Sequence, residues 1–143
     1  NLKKLNLIKT IKKLSKNGKH ILGICLGMHL LTNSSDEIKF TKGLELIPGK
    51  IKMIKNNAHN IGWNKITFSK KKSDFYALNN KSFYFQHQYM YAGSSKYTIS
   101  VSKDLKNLTS IIKYKNTFGV QFHPEKSQSN GRSLIADFLY DRI

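Results

Sequence analysis

The single cysteine of the chain lies in a Gly-x-Cys-x-Gly pattern at residues 23–27. Residues 20–24 form a short apolar run that predicts a buried strand, and residues 26–32 predict the start of a helix. A cysteine at such a junction occupies a sharp turn that exposes its side chain, and the flanking glycines relieve the crowding. The helix start would lower the thiol pKa and offer the Leu26 N–H to an oxyanion. The pattern therefore indicates a nucleophilic Cys25, while a core cysteine beside a glycine turn also fits it.

A second stretch contains a candidate base for such a thiol. His123 follows a predicted strand at residues 118–122, and Glu125 lies two positions later, with Pro124 stiffening the link. A carboxylate bonded to one ring nitrogen fixes the tautomer of a general-base histidine. Taken alone, a histidine after a strand is more often a satisfied surface or core residue. Together with Cys25, however, the triplet predicts a Cys-His-Glu set for acyl transfer.

The elements around these residues predict an α/β fold with a mixed sheet. Apolar residues at helical spacing predict an amphipathic helix over residues 2–16 and a closing helix from residue 130. A parallel strand at 20–24 needs neighbouring strands, and none precedes the first helix, so we expect the first strands of the fold to be absent. Further strands are predicted at residues 51–54, 61–68, 82–87, 97–102, 108–114 and 118–122, with a hairpin loop at 115–117.

Length and composition limit the classes of function. With 143 residues, the chain is interpreted as a single incomplete domain covering 1–143. It contains neither a bilayer-spanning apolar run nor a secretory signal pattern, so we expect a cytoplasmic protein without a membrane partner. One cysteine excludes an internal disulfide and a cysteine-based metal cage. No residue cluster implies a metal or an organic cofactor.

The formal net charge of +17 raises nucleic acid as a possible partner. Only Arg132 and Arg142 are arginines, whereas specific readers of nucleic acid depend on arginine for bidentate contacts. The lysines are also spread along the chain rather than gathered in one block. We therefore interpret them mainly as solvated surface residues and do not expect nucleic-acid binding. A positive surface would still attract an anionic substrate or an acidic partner protein.

Three stretches together carry a family resemblance. Residues 23–28 (Gly-Ile-Cys-Leu-Gly-Met), 61–64 (Ile-Gly-Trp-Asn) and 121–127 (Gln-Phe-His-Pro-Glu-Lys-Ser) resemble the class I glutamine amidotransferases. More closely, they are similar to the glutaminase subunits of imidazole glycerol phosphate synthases. The resemblance runs through essentially the whole chain. It implies a flavodoxin-like three-layer α/β fold with a mixed sheet.

The resemblance also implies a reaction. Cys25 would attack the side-chain amide carbon of L-glutamine, His123 would move protons and Glu125 would orient His123. Ammonia would leave first, and water would then release glutamate from a glutamyl thioester. The ammonia would pass to a cyclase or synthase subunit in a heterodimer.

Further positions match the family's substrate and partner contacts. For Glu37 the resemblance implies a contact with the α-amino group of glutamine. Substrate contacts are implied for Leu26, Gly27, His29 and Glu37. Contacts with the partner and the ammonia passage are implied for Trp63, Asn64 and Lys126. Positions beside the active site are implied for His87 and Tyr89.

Three departures from the family pattern affect these expectations. Family members begin with a strand-helix-strand portion whose glycine-rich loop supplies a second oxyanion N–H; this chain does not contain it, so we expect the chain alone to be a poor glutaminase. His29 replaces a glutamine that contacts the substrate, and imidazole is wider and can carry charge. Asn60 replaces a frequent histidine in the region that meets the partner.

Several functions therefore remain open on the sequence. The leading hypothesis is a glutaminase subunit that supplies ammonia to a cyclase in histidine biosynthesis. His29 and Asn60 make a paralogue serving a surface-polysaccharide or flagellar sugar-modifying partner a serious alternative. A non-catalytic binding domain is the third, and the presence of Cys25, His123 and Glu125 argues against it.

Overall fold

A computed structural model of the chain describes residues 2–37, 39–104 and 107–142. Within these ranges, none of the helices combines the length and apolar character needed to cross a bilayer. The helices are α1 (Leu7–Lys16), α2 (Leu26–Leu31) and α3 (Gln128–Leu139). The strands are β1 (Ile21–Ile24), β2 (Ser34–Ser35), β3 (Thr41–Lys42), β4 (Lys50–Met53), β5 (Asn60–Phe68), β6 (Ser82–His87), β7 (Tyr89–Ala92), β8 (Thr98–Ser102), β9 (Leu108–Tyr114) and β10 (Thr117–Val120).

The described strands form two sheets. The larger has the strand order β1-β10-β9-β8-β5-β6, and the smaller has the order β3-β2-β4-β7. In the larger sheet β1 and β10 run parallel, with Ile21 opposite Thr117 and Ile24 opposite Val120. The remaining described ladders of that sheet are antiparallel. The sheet is therefore mixed, as predicted, and its parallel pair leads into both chemical stretches of the sequence.

Apolar clusters cover both faces of the larger sheet. In β9, Ile111 belongs to one cluster and Ile112 to the other, because successive residues of a strand point to opposite faces. The first cluster joins the sheet to α3 through Leu134. The second joins it to α2 through Met28 and to the smaller sheet through Ile51. Elements thus pack on both sides of the sheet, which confirms the predicted layered α/β arrangement.

Most predicted elements are present, with two corrections. The first helix begins at Leu7 rather than at residue 2, because Asn6 adopts a left-handed conformation with φ +53° that interrupts a helix. The sequence also fails to predict β2, β3 and β7. The first two contain two residues each. Strand β7 follows β6 through Gln88, without the Gly, Pro, Asn or Asp that usually indicates a turn.

Candidate active site

Cys25 lies in the turn between β1 and α2. Its backbone has φ +48° and ψ −105°, which L-residues rarely adopt. Main-chain hydrogen bonds hold this conformation on both sides: the Cys25 N–H donates to Val120 O over 2.8 Å, and the His29 N–H donates to Cys25 O over 3.2 Å. The strained strand-to-helix turn predicted from the Gly-x-Cys-x-Gly pattern is therefore confirmed.

The two glycines of this turn differ in their surroundings. A Cβ on Gly23 would lie 2.6 Å from the carbonyl carbon of Gly27 and 2.7 Å from Leu31 Cδ1, so a side chain does not fit there. A Cβ on Gly27 would meet none of the described atoms within 4 Å beyond its chain neighbours and the backbone of its own helix. The crowding predicted for both positions is correct for Gly23 and wrong for Gly27. The turn is therefore tightly packed at Gly23, whereas there is open space beside Gly27.

The Cys25 thiol has a raised pKa, and burial is the main cause. The Leu26 backbone N–H opposes this effect by bonding the sulfur, and the negative charges of Glu37 and Glu125 add to the rise. The side-chain amide of Gln121, 3.9 Å from Sγ, also favours the thiolate. The predicted lowering of the pKa is therefore wrong, because desolvation outweighs the effect of the helix start. A thiol in this state requires a base before it can attack.

The second part of the site follows β10. The His123 N–H donates to Tyr84 O of β6 over 2.8 Å, which fixes the backbone of the histidine. The Nδ1 atom of His123 lies 2.6 Å from Glu125 Oε1, and this contact orients the ring with Nε2 as the nitrogen for proton transfer. Because β1 and β10 are adjacent and parallel, Cys25 and His123 leave the sheet at the same edge.

A buried polar chain leads from the sulfur into the protein. Beyond the Cys25–Gln121 contact, Gln121 Oε1 lies 3.2 Å from His29 Nε2, and His29 Nδ1 lies 2.8 Å from Glu37 Oε2. His29 and Gln121 are 2% and 0% exposed, whereas one third of the Glu37 side chain is exposed. The sequence predicts roles for His29 and Glu37 but gives none to Gln121. Its position next to the predicted Phe-His-Pro-Glu stretch is the signal that could have found it.

A second buried polar group links β5, β6 and β7. The His87 Nδ1–H donates to Tyr89 O over 2.7 Å, and its Nε2 accepts from Asn60 Nδ2 over 2.8 Å. Asn64 Nδ2 donates to Asn60 Oδ1 over 3.0 Å. Burial lowers the pKa of His87 to about 4, so the ring is neutral at physiological pH. Asn60 is therefore an interior residue. Among the described residues, no group of three or more His, Cys, Asp or Glu could hold a metal ion.

His87 belongs to the surroundings of the active site. The charges of both His29 and His123 contribute to the lowering of its pKa, after burial. The backbone carbonyl of Tyr89 is the acceptor for the His87 ring. This location agrees with the position beside the site that the resemblance implies for these two residues.

Two of the predicted partner residues, Trp63 and Asn64, lie on opposite faces of β5, and the third, Lys126, lies in the turn Pro124–Lys126 after β10. Trp63 is 48% exposed, whereas its neighbour Asn64 is buried, since successive strand residues alternate between faces. The Trp63 ring packs edge-on against Tyr84 with centroids 6.0 Å apart. Lys126 Nζ donates to Gln86 Oε1 over 2.8 Å and lies over the Tyr84 ring. Trp63, Tyr84, Gln86 and Lys126 form one surface, which we name the β5–β6 surface; Asn64 lies behind it.

Comparison with known proteins decides the family. The model of the family "Glutamine amidotransferase class-I" matches residues 3–142. The chain belongs to the class I glutamine amidotransferases. This amidotransferase is 40% identical over 147 residues to imidazole glycerol phosphate synthase subunit HisH 2 of Vibrio vulnificus (strain YJ016), covering 96% of the chain and 69% of that protein. It is 42% identical over 142 residues to subunit HisH of Buchnera aphidicola subsp. Acyrthosiphon pisum, covering 96% and 70%.

Solved structures share the fold of this amidotransferase. PurLQS from Thermotoga maritima superimposes with a TM-score of 0.71 at 14% identity, covering 96% of this chain and 68% of that chain. A glutamine amidotransferase from Thermotoga maritima gives a TM-score of 0.63 at 18% identity, covering 94% and 53%. Sequence identity at this level supports the fold alone. The predicted α/β amidotransferase fold is thereby confirmed.

Proposed function

We propose that this amidotransferase hydrolyses L-glutamine to glutamate and ammonia with Cys25, His123 and Glu125. One observation carries the proposal: a cysteine in a strained turn follows β1, and a His-Glu pair follows the adjacent parallel strand β10. The family is named for glutamine and amide transfer, which supports glutamine as the substrate. Two relatives carry the name of an imidazole glycerol phosphate synthase subunit, and this supports transfer of the ammonia to a synthase.

The reaction follows from the chemistry of the three groups. His123 Nε2 takes the proton of the Cys25 thiol, and Sγ attacks the side-chain amide carbon of glutamine. The oxygen that becomes negative accepts a hydrogen bond from the Leu26 N–H. The tetrahedral intermediate collapses, the C–N bond breaks, and protonated His123 gives its proton to the leaving ammonia. Water, deprotonated by His123, then attacks the thioester; glutamate leaves and the thiol is restored.

Substrate binding is proposed for the rim of this site. Glu37 would accept a hydrogen bond from the α-ammonium group of glutamine, with one carboxylate oxygen already bound to His29. The open face over Gly27 would give room to the substrate side chain. His29 is buried, so its contribution to binding would pass through Glu37 rather than through a direct contact.

We assign the β5–β6 surface to a synthase partner of the cyclase type. An exposed tryptophan that packs on a tyrosine is typical of an interface centre. Asn64 would support this surface from behind through its bond to Asn60. The leading partner is the cyclase subunit of imidazole glycerol phosphate synthase; a sugar-modifying synthase is the alternative.

Covalent labelling tests the glutaminase proposal. The glutamine analogue 6-diazo-5-oxo-L-norleucine should form one adduct on Cys25, detected by mass spectrometry of the intact chain and its peptides. L-glutamine should protect against labelling, whereas D-glutamine should not. Glutamate release should depend on Cys25, be lost in Cys25→Ala and increase when the partner subunit is added. An adduct elsewhere, or labelling that L-glutamine leaves unchanged, would contradict the proposal.

The same assay separates the two partner classes. Purified cyclase subunit from the same organism should increase glutamate release and bind the chain. Stimulation by a sugar-amidating synthase, with no response to the cyclase, would instead support the alternative function.

A further inference from the structure

The buried chain Glu37-His29-Gln121 approaches the nucleophile through the only side-chain amide that contacts it in the described structure. Its three contacts are 2.8 Å, 3.2 Å and 3.9 Å long, from the carboxylate to the sulfur. His29 is 2% exposed and Gln121 is fully buried, so bulk water does not replace these contacts. A protein hydrogen-bond chain of this kind has a direction, because each donor must meet an acceptor.

The protonation state of His29 determines that direction. The carboxylate of Glu37 is an acceptor, so Nδ1 of His29 carries a hydrogen in either state. If Nε2 is also protonated, it donates to the Gln121 carbonyl oxygen, as the 3.2 Å contact has it. If Nε2 is unprotonated, it accepts, and the Gln121 amide must turn its NH2 group toward the imidazole.

The two orientations of Gln121 have opposite effects on the sulfur. With its carbonyl on the imidazole, the amide presents N–H to Cys25 Sγ, which stabilises a thiolate. With the amide reversed, its carbonyl oxygen faces the sulfur and accepts from S–H, which stabilises the neutral thiol. The hydrogen on His29 Nε2 thus determines whether the nitrogen or the oxygen of the Gln121 amide contacts Cys25 Sγ.

We propose that His29 is a positioning residue that activates the Cys25 nucleophile through Gln121. Protonated His29, held by Glu37, keeps the amide NH2 group on the sulfur and favours the thiolate. Without a hydrogen on Nε2 to hold the Gln121 carbonyl, the amide reverses and favours the thiol. This role rests on the proposed function, since it matters for catalysis only if Cys25 is the nucleophile.

The ionisable groups around His29 are few in the described structure. Glu37 approaches from the loop after β2, and His87 acts electrostatically from β6. The strands β1, β2 and β10, which pack against α2, carry no titratable side chain. Glu125 acts on the same thiol, and His123 acts on His87. His29 is therefore the group whose proton is coupled to the amide of Gln121.

Alkylation of the thiol by iodoacetamide tests the proposal, because the chain contains one cysteine and the reaction needs no glutamine. The rate is measured from mildly acidic to alkaline pH. His29→Met fills a similar volume but offers no N–H to the Gln121 carbonyl. We expect it to raise the thiol pKa by about one unit, which slows alkylation at neutral pH about tenfold. Glu37→Gln should act in the same direction, and the exposed His59→Met is the matched control with an unchanged curve.

Gln121→Met identifies the route, because methionine fills a similar volume without an amide. In the Gln121→Met background, His29→Met should have no further effect on the alkylation curve. A tenfold slowing that persists there would mean that His29 acts on the sulfur directly, and it would overturn the proposal. Superimposable curves for wild type, His29→Met and Glu37→Gln would overturn it as well. Circular dichroism establishes that each variant is folded, and loss of glutaminase activity leaves these curves interpretable.

Discussion

The backbone of Cys25 is strained because the residue lies in a sharp turn at the edge of the sheet. A β-carbon at φ +48° and ψ −105° crowds the neighbouring peptide groups, and such conformations cost on the order of 1–3 kcal/mol. The two main-chain hydrogen bonds to Val120 and from His29 hold the residue in this state. The strain therefore belongs to the fold, and it should be measurable without any substrate.

The chain should be more stable with glycine than with alanine at position 25. Cys25→Gly relieves the strain, and after the entropic cost of glycine we expect it to exceed Cys25→Ala by about 1 kcal/mol in the free energy of unfolding. Urea denaturation measures the difference. Ser133, exposed within α3, is the control, because there glycine should be less stable than alanine by about 1 kcal/mol. The same order at both positions would show that Cys25 is unstrained.

His87 should make the stability of the chain depend on pH. Its pKa is about 4 in the folded chain against an ordinary 6.5, so between these values the unfolded chain binds the additional proton. Stability is complete above about pH 6.5 and falls by up to about 3 kcal/mol as the pH drops toward 4. Thermal unfolding measured across this pH range should show that the pH dependence of stability disappears in His87→Gln and persists in His59→Gln. An equal slope in all three proteins would refute the assignment.

The site residues differ in how well the sequence predicts them. Local patterns predict the Cys25 turn and the pairing of His123 with Glu125, because each depends on a few neighbouring residues. The sequence gives no role to Gln121, since its contact with His29 joins residues 92 positions apart. The sequence also does not predict the raised pKa of the Cys25 thiol, because the burial that causes it depends on how the whole chain packs.

At the scale of elements, the close fit of β1, α2 and β10 brings the two halves of the site together. Gly23 lets the first turn of α2 lie directly on β1. Gly119 in β10 has the same function for Met28, whose Cγ would lie 2.7 Å from an added Cβ. Small residues at both contacts allow the helix start to approach the sheet edge where Cys25 and His123 leave it.

The two glycines of the turn should respond oppositely to alanine. Gly23→Ala forces a Cβ against the backbone of α2, and we expect a loss of several kcal/mol, toward the upper range for overpacked sites. Gly27→Ala has open space and a better helix former, so stability should be unchanged or rise by up to about 1 kcal/mol. Thermal melting tests both. If Gly27 lines the substrate space as proposed, labelling by the glutamine analogue should slow in Gly27→Ala; an unchanged rate would argue against that role.

Among the elements, β6 and β9 have their predicted bounds because each is a short run rich in β-branched or aromatic residues with polar loop residues next to it. Of the smaller sheet, the sequence predicts only β4, at residues 51–54. Its strands β2 and β3 are too short to show a period, and they depend on pairing with β4 and with each other. Tertiary contacts, rather than local preference, therefore determine that sheet.

At the scale of the whole molecule, the positive charge and the β5–β6 surface favour association with an acidic partner. A net charge of +17 produces a long-range field, and salt reduces its effect. The aromatic centre formed by Trp63 and Tyr84 supplies short-range contacts. We therefore expect salt to affect mainly the association rate, and loss of the tryptophan to affect mainly dissociation.

Trp63→Ala should weaken binding of the synthase partner without unfolding the chain. A half-exposed tryptophan at an interface centre is worth about 2 kcal/mol or more, so the dissociation constant should rise at least about thirtyfold. Calorimetry or surface plasmon resonance measures the change. Tyr140→Ala removes another exposed aromatic residue outside this surface and should leave binding unchanged. Equal effects of the two substitutions would place the interface elsewhere.

Main-chain hydrogen bonds set the spacing between the ends of β1 and β10, and every residue type except proline supplies both the N–H donor and the carbonyl acceptor for them. Substitutions of surface side chains therefore leave these hydrogen bonds in place. A lineage can accumulate lysine on the outside of such a protein while the distance between a cysteine and a histidine is inherited with the backbone. Selection on this region then falls on a few glycines and on the side chains that we propose to be catalytic.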